Sequence, residues 1–337
     1  MRHSYEPELV WRGKRLPGKV RAANLRLVER YGDAKDGSPN KLILGENLSV
    51  MHALARDLTN AIDLIYLDPP FATGEGFHLN SRRSGPAPKA YGDTWGRGLS
   101  AYLQMLYERL LAAHRLLAPS GSVWLHIDWR AGHHARLLLD EIFGRDNFRN
   151  MVVWHYGGRG AKAISSQFPR NYDLLLYYAK SSFAPFRKAQ SLERVPLAAA
   201  SSLGFRQDAR GRWFKTAPRG DYTDLSLASL ERQGRVHHTK TGSLRIKYFV
   251  EARDGYLLVP RLVGDVWDDV PDMMHAPVAE RTGYPTQKPL ALLTRIVESC
   301  TDPGGLVADF FCGSGTTLVA AERSGRRWIG CDQSEVR

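Results

Sequence analysis

The sequence predicts an α/β protein built on a mostly parallel sheet, and three observations predict it. Short β-rich runs alternate with runs of helical period. Two apolar runs stop abruptly, one at Asp68-Pro69-Pro70 and the other at the glycine loop Gly313-Ser314-Gly315. Between them the alternation weakens and the chain turns basic and aromatic. At 337 residues the chain has room for one large domain or for a core with a smaller domain appended, and an apolar fraction of 43% is enough for a real core.

Residues 1–40 are basic and poor in apolar periodicity, so they read as an arm or an irregular cap. The first α/β half, 41–155, opens with a strand at 41–44, a helix near 48–58 and an apolar strand at 62–67 that ends on Asp68-Pro69-Pro70. Residues 72–98 carry Gly, Ser, Pro and charge with no period of either kind, as a lid loop does. A helix follows at 100–117, with Leu103, Leu106, Leu110 and Leu117 at helical spacing, and Pro119-Ser120-Gly121 is expected to turn the chain into a strand at 122–127. A helix at 134–143 and a strand at 151–155 complete this half. Residues 156–280 read as a separate recognition region, although 172–179 is a buried core strand. The second half, 281–337, resumes the grammar with a helix at 289–299, a strand at 306–308, the glycine loop, a helix at 316–324 and a strand at 327–331.

Lys and Arg total 47 against 35 Asp and Glu, a net charge of +12, which points to a polyanionic partner, nucleic acid first, with a merely basic, solvated surface as the alternative. The three cysteines, Cys300, Cys312 and Cys331, fit neither a disulfide framework nor a zinc knuckle, and a reducing cytoplasm is the simplest reading. The start lacks an apolar signal core, and no run approaches the roughly 18 apolar residues of a membrane span. No metal is expected: His237-His238 lacks further ligands at suitable spacing.

The glycine loop lies in Asp309-Phe310-Phe311-Cys312-Gly313-Ser314-Gly315-Thr316-Thr317, where a buried strand meets a helix. Glycines there let a ligand approach the backbone, and a helix N-terminus offers free amides. A dinucleotide fingerprint would place Gly or Ala where Leu318 stands, which argues against NAD. Gly330-Cys331-Asp332 ends the next strand with a carboxylate, where an adenosine ribose offers two hydroxyls. Taken alone, the glycines also fit a plain tight turn.

In Asp68-Pro69-Pro70-Phe71 two prolines remove backbone donors and stiffen the turn, leaving an acceptor-rich, donor-poor site at the end of a strand. Such a site suits an amino group. Asp68 and the Pro69 carbonyl each accept one N–H, and Phe71 offers a face for a base to stack on. An exposed Pro-Pro turn is the bland alternative. The third signal is Tyr284-Pro285-Thr286-Gln287-Lys288-Pro289, a turn with Pro289 at the start of a helix.

Together these residues resemble the β-class DNA amino-methyltransferases, the adenine-N6/cytosine-N4 family, in which the catalytic motif precedes the cofactor motif. The flank Phe71-Ala72-Thr73-Gly74, the Tyr284-to-Pro289 turn and the Phe310-to-Thr317 string look most like the modification subunits of type III restriction systems and their stand-alone relatives. The resemblance implies a circularly permuted, Rossmann-like S-adenosylmethionine-dependent methyltransferase fold with a mostly parallel seven-stranded sheet and an inserted target-recognition region. It implies catalysis by Asp68, Pro69, Pro70 and Phe71, and S-adenosylmethionine held by Asp309, Phe311, Gly313, Gly315 and Asp332. Glu46 and Asn47 match an acidic-polar pair near the adenine or ribose. Gln287, Lys288, Thr316 and Thr317 match positions around the methionine end. In the family that the chain resembles, an acid at the position of Asp68 is usual for adenine-N6 enzymes and serine is common for cytosine-N4 ones, so the resemblance implies adenine.

The expected partner is double-stranded DNA in a bacterial or phage-type cytoplasm; dimers are frequent in the family, and a restriction subunit is not implied. The candidate DNA contacts are Arg159, Arg170, Arg206, Arg210, Arg212, Lys215, Arg219, Lys240, Arg245 and Lys247. No cysteine stands in a Pro-Cys context, so covalent carbon-5 chemistry has no visible nucleophile. Cytosine-N4, RNA or a protein amide as target, and an inactive DNA-binding relative, stay open.

Overall fold

The computed structural model describes residues 8–18, 20–29, 40–71, 76–78, 89–92, 98–157, 168–239 and 241–333. The chain divides into two compact units, residues 1–187 with 264–337 and residues 188–263. The smaller unit therefore lies inside the range 156–280 expected for the inserted region.

The larger unit is an α/β sandwich around one sheet. Its strands are β1 (Lys41–Leu44), β2 (Ile62–Leu67), β3 (Leu117–Ile127), β4 (Phe148–His155), β5 (Tyr172–Ala179), β6 (Val266–Trp267), β7 (Leu306–Asp309) and β8 (Arg327–Asp332). They lie in the order β1-β8-β7-β2-β3-β5-β4-β6. The sheet has eight strands rather than the expected seven, because the two-residue β6 pairs in parallel with Val153 and Trp154 at the edge of β4. All neighbours are parallel except at β5, which runs against both β3 and β4. The first residues of β5 consequently lie at the edge where β2 and β3 end.

The helices are α1 (Asn47–Leu54), α2 (Leu99–Leu116), α3 (Gly132–Phe143), α4 (Leu290–Cys300) and α5 (Thr316–Arg323). In α2 the buried Tyr102, Leu103, Leu106, Leu110 and Ala113 form one stripe, as a 3.6-residue period requires. With α1 and α3 it packs on Ile65, Leu67, Val123, Leu125, Leu174, Leu176 and Tyr178. Because side chains alternate along a strand, Tyr66, Trp124, His126 and Asp173 occupy the opposite face. There α4 meets Trp124, whose indole N–H donates to the Cys300 sulfur at 3.2 Å.

Two local expectations give way to packing. No separate turn forms at Pro119-Ser120-Gly121: β3 starts at Leu117 and absorbs those residues as a register shift against β2. A Cβ on Gly121 would sit 2.7 Å from the Ile62 carbonyl, so the strand requires glycine there. Residues 76–78 and 89–92, in a stretch without legible period, pair as an antiparallel hairpin.

Residues 8–29 form neither helix nor strand among the described residues, yet Leu9, Trp11, Val20 and Ala23 pack on the core. Lys14 fastens this strap to Glu141 of α3 at 2.8 Å, with its ammonium over the Trp11 and Tyr107 rings. Gln104 pairs with both the amide and the carbonyl of Arg15.

The smaller unit carries a four-stranded antiparallel sheet, from residues 206–207, 213–218, 236–238 and 244–249, and a three-stranded one, from 190–196, 251–253 and 256–262. The helix Asp224–Arg232 places Leu227 and Leu230 on Val236, Leu244 and Ile246, covering one face of the four-stranded sheet. By register, Arg206, Phe214, Thr216, His237, Arg245, Lys247 and Phe249 share the other face.

Candidate active site

The site is built at the carboxyl ends of β2, β7 and β8, where an open α/β sheet holds its ligands. Strand β2 delivers Asp68, whose side chain is 15% exposed and accepts from the Lys288 ammonium at 2.5 Å. Phe71 lies between that ammonium, 5.4 Å from its ring, and the His126 ring at 5.8 Å. The Tyr284-to-Pro289 turn and the Asp68-to-Phe71 turn, distant in the chain, thus share one ion pair.

The glycine loop is clamped from both ends. Asp309, at the end of β7, accepts from the Phe311 amide at 2.9 Å and from the Thr317 hydroxyl at 2.6 Å. Asp332, at the end of β8, accepts from the Gly313 amide at 2.8 Å. Gly313 and Gly315 adopt positive φ of 47° and 78°, a region that favours glycine. The amide end of α5 has no side-chain cap. A Cβ on Gly330 would collide with the Leu318 side chain, so glycine there lets α5 pack closely on β8.

Burial pushes the Asp309 carboxyl up to about 7 against its two hydrogen bonds, and the charges of Asp68 and Asp332 add to the rise. Its ordinary value is 3.8, so between those limits the folded chain holds a proton that the unfolded chain releases. The resulting stability is complete below about pH 4 and is lost as pH rises through 7, on the order of 4 kcal/mol in all. Asp309→Asn keeps an acceptor for Phe311 and offers Thr317 a donor. Its melting temperature is therefore expected to fall less than the wild type's between pH 5 and 8 in parallel thermal scans; identical slopes would remove Asp309 as the cause.

Glu46 and Asn47 are largely occupied by the fold. Glu46 caps α1, taking the Leu48 amide at 3.1 Å and the Ser49 amide at 2.8 Å, and accepts from Arg109 at 2.7 Å. Burial would raise its carboxyl, but those amides and Arg109 hold it below the ordinary value. Asn47 accepts from Arg109 at 2.7 Å and donates to the Phe310 carbonyl at 2.9 Å, tying α1 to the glycine loop. Gln287 accepts from Thr282 and donates to the Glu280 carbonyl, bracing its own turn.

The candidate DNA contacts separate. Arg206, Arg245 and Lys247 share one sheet face in the smaller unit, while Lys215 points to the opposite one, over the Phe205 ring. Arg210 lies in the turn around Asp208, Arg212 pairs with Asp208 and stacks on Phe249, and Arg219 pairs with Asp224. Arg170, in the larger unit, stacks on Trp129 at 3.7 Å. Arg159 and Lys240 lie outside the described residues, as do Thr73 and Gly74.

Four polar residues of the site escape sequence reasoning: Arg109, Tyr66, His126 and Asp173. Tyr66 donates to or accepts from His126 Nδ1 at 2.7 Å, and His126 Nε2 lies 3.0 Å from Asp173. Of the four, His126 leaves a trace in the sequence: Ser122, Trp124, His126 and Asp128 stand at every second position through and just past an otherwise apolar strand.

Among the described residues no cluster of His, Cys, Asp or Glu suits a metal, and no helix is long and apolar enough to cross a membrane. The cysteines are buried thiols, Cys300 pushed up to about 11 and Cys331 to about 12 by burial.

Residues 62–337 match the family model described as DNA methylase. The type II methyltransferase M.EcaI of Enterobacter cloacae is 32% identical, over 89% of this chain and 69% of its own length. The StyLTI Mod subunit of a type III restriction-modification enzyme from Salmonella typhimurium is 26% identical over 84% of this chain, which spans about half of that relative, 50%. The DNA adenine methyltransferase YhdJ of Escherichia coli is 26% identical, over 81% of this chain and 72% of its own length.

Proposed function

The chain belongs to the DNA methylase family, and on that premise we propose that it methylates DNA at a specific site, moving a methyl group from S-adenosylmethionine to the exocyclic N6 of adenine. The observation that carries this reading is the acceptor-rich, donor-poor turn Asp68-Pro69-Pro70-Phe71 at the end of β2, beside the clamped glycine loop that follows its sheet neighbour β7.

The residues fit the cofactor. At Gly315, where φ is positive, nothing lies nearer than Leu318 at 3.9 Å to the place a side chain would take, the uncapped end of α5 offers amides, and Asp332 stands where a ribose is expected. When bound, S-adenosylmethionine supplies an electrophilic methyl group. The chain does the rest by positioning and electrostatics. Asp68 and the Pro69 carbonyl accept the two amine N–H groups and turn the nitrogen lone pair outward, while Phe71 stacks the base. Transfer would leave the C–S electron pair on sulfur and a surplus proton on the methylated nitrogen, which Asp68, as acceptor of an amine N–H, would be placed to take. Since the amine is buried in a duplex, the base must be flipped, costing a few kcal/mol that stacking and the two acceptors offset.

Asp68 favours adenine because an acid opens the motif in adenine-N6 enzymes that it resembles, and a relative named as an adenine methyltransferase supports the choice. Double-stranded DNA is the proposed partner, with Arg206, Arg245 and Lys247 on the open face of the smaller unit neutralising phosphates. The test is to incubate unmethylated DNA, RNA and protein with labelled S-adenosylmethionine and identify the modified nucleoside by mass spectrometry. N6-methyladenine is expected; N4-methylcytosine moves the target, and label confined to RNA or protein overturns the DNA reading.

A further inference from the structure

We propose that the buried chain Tyr66–His126–Asp173 is a positioning device that aims the Tyr66 hydroxyl proton away from Asp68, so that the Asp68 carboxylate, held on one oxygen by Lys288, accepts from the substrate amine rather than from Tyr66. The inference rests on the amine-methylating reading of the site.

The three residues come from adjacent strands, β2, β3 and β5, and share the functional face at the edge where β2 and β3 end. Tyr66 is 1% exposed and His126 0%, so water does not complete their hydrogen bonds. The two contacts, Tyr66 to Nδ1 at 2.7 Å and Nε2 to Asp173 at 3.0 Å, leave few ways to place the protons. A carboxylate only accepts, so Nε2 carries the ring proton. In the neutral ring Nδ1 is then an acceptor, and Tyr66 must donate to it. Tyr156 also hydrogen-bonds Asp173, which fixes the far end.

Reversing the chain has a consequence at the catalytic turn. If Nδ1 carried the proton it would donate to the Tyr66 oxygen, and the Tyr66 O–H would turn to another acceptor. Burial first, then the charges of Asp68, Asp309 and Asp173, hold the Tyr66 phenol well above its ordinary range, so the hydroxyl keeps its proton and lies within the field of Asp68. Tyr66 and Asp68 stand two residues apart at the end of β2, and so on one face by strand alternation, where a phenol turned that way competes with the amine for the same carboxylate. His126 also packs against Phe71 at 5.8 Å and Trp154 at 5.7 Å, so its orientation is set by rings as well as by Asp173. An orienting acid that selects a histidine tautomer controls a proton one bond further along, and an Asp→Asn exchange in such a position inverts the tautomer with little change in shape.

The test uses the full chain with 15N-labelled histidine. In the wild type, His126 is expected as the Nε2–H tautomer. Asp173→Asn puts an amide donor opposite Nε2; it is expected to shift His126 to Nδ1–H and to lower kcat roughly 10–100-fold, the range of a competing hydrogen bond to a charged group. KM for DNA and for S-adenosylmethionine should stay within about threefold. Adding Tyr66→Phe removes the misdirected proton, so the double variant Y66F/D173N should recover about tenfold over D173N. A merely structural role makes the double variant no better than the single one, and that result, or an unchanged tautomer in D173N, overturns the proposal. His126→Gln, which keeps a donor for Asp173 and an acceptor for Tyr66, should outperform His126→Leu by about tenfold even if D173N does not fold; equal loss overturns it as well. Failure of the wild type to methylate any nucleic-acid amine sinks the underlying reading instead, and the tautomer measurement stands apart from it.

Discussion

Asp68→Ala is expected to lower methyl transfer by about a thousandfold or more while S-adenosylmethionine binds as before. Removing one preorganised electrostatic partner from an active site typically costs on the order of 10²–10³ in kcat. Here the loss is compounded. The Lys288 ammonium, 13% exposed and paired to Asp68 at 2.5 Å, stays beside Phe71 without its counter-charge. It then opposes the positive charge that grows on the amine nitrogen, whereas in the wild type Asp68 neutralises it. Asp68→Asn keeps one acceptor oxygen and the shape of the turn, so it should retain more activity than the alanine variant. Single-turnover transfer to unmethylated DNA, with cofactor affinity measured by calorimetry, separates the two steps. Unchanged turnover in Asp68→Ala would remove the residue from the mechanism.

The second large effect is expected at Gly313, and it runs the other way, through the cofactor. Gly313 sits at φ 47°, and a Cβ there would lie 3.0, 3.3 and 3.5 Å from Tyr284 Cε1, Cζ and Oη. Valine adds about 1–2 kcal/mol of left-handed backbone strain and roughly 1–3 kcal/mol of overpacking. Relief requires the loop to move off Tyr284 and strains the 2.8 Å bond from the Gly313 amide to Asp332. Gly313→Val should therefore weaken S-adenosylmethionine binding at least about 100-fold. The core strands are untouched, so the folded chain should persist. Titration calorimetry reads the affinity directly, and a Kd within about threefold of wild type would show that the cofactor does not use this loop.

Asp68→Ala and Gly313→Val should fail differently, one in transfer and one in binding. That contrast follows from the separate clamps on the two turns. Asp309 and Asp332 hold the glycine loop through main-chain amides, while Asp68 is held by a side chain, Lys288, from a third segment.

Much of this site is legible in the amino-acid sequence. The Asp68-to-Phe71 turn shows there because prolines and an apolar strand are local signals, and Asp68 follows a strand whose residues are nearly all buried. The glycine loop shows for the same reason: positive φ demands glycine at Gly313 and Gly315 wherever the rest of the chain lies. Other positions look equivalent in sequence and are not so in space. Gln287 and Lys288 are neighbours, yet Gln287 braces its own turn while Lys288 reaches across to Asp68. Glu46 and Asn47 read as ligand-facing polar residues, but α1 needs an N-cap and Phe310 a donor, and those bonds engage both side chains. Lys215 and Lys247 read alike as basic, and strand alternation sends them to opposite faces.

By itself the sequence determined most elements of the two α/β halves, their alternation, the two turns and the family, because hydrophobic period, proline, glycine and caps act within a few residues of where they stand. The tertiary structure alone decided who partners whom. That β5 runs antiparallel brings Asp173 to the edge where Tyr66 and His126 end, and only then do three unremarkable residues form one hydrogen-bonded chain. The physical reason is range: a local signal is satisfied by its neighbours, whereas a buried polar group is satisfied by whatever the strand order places opposite it.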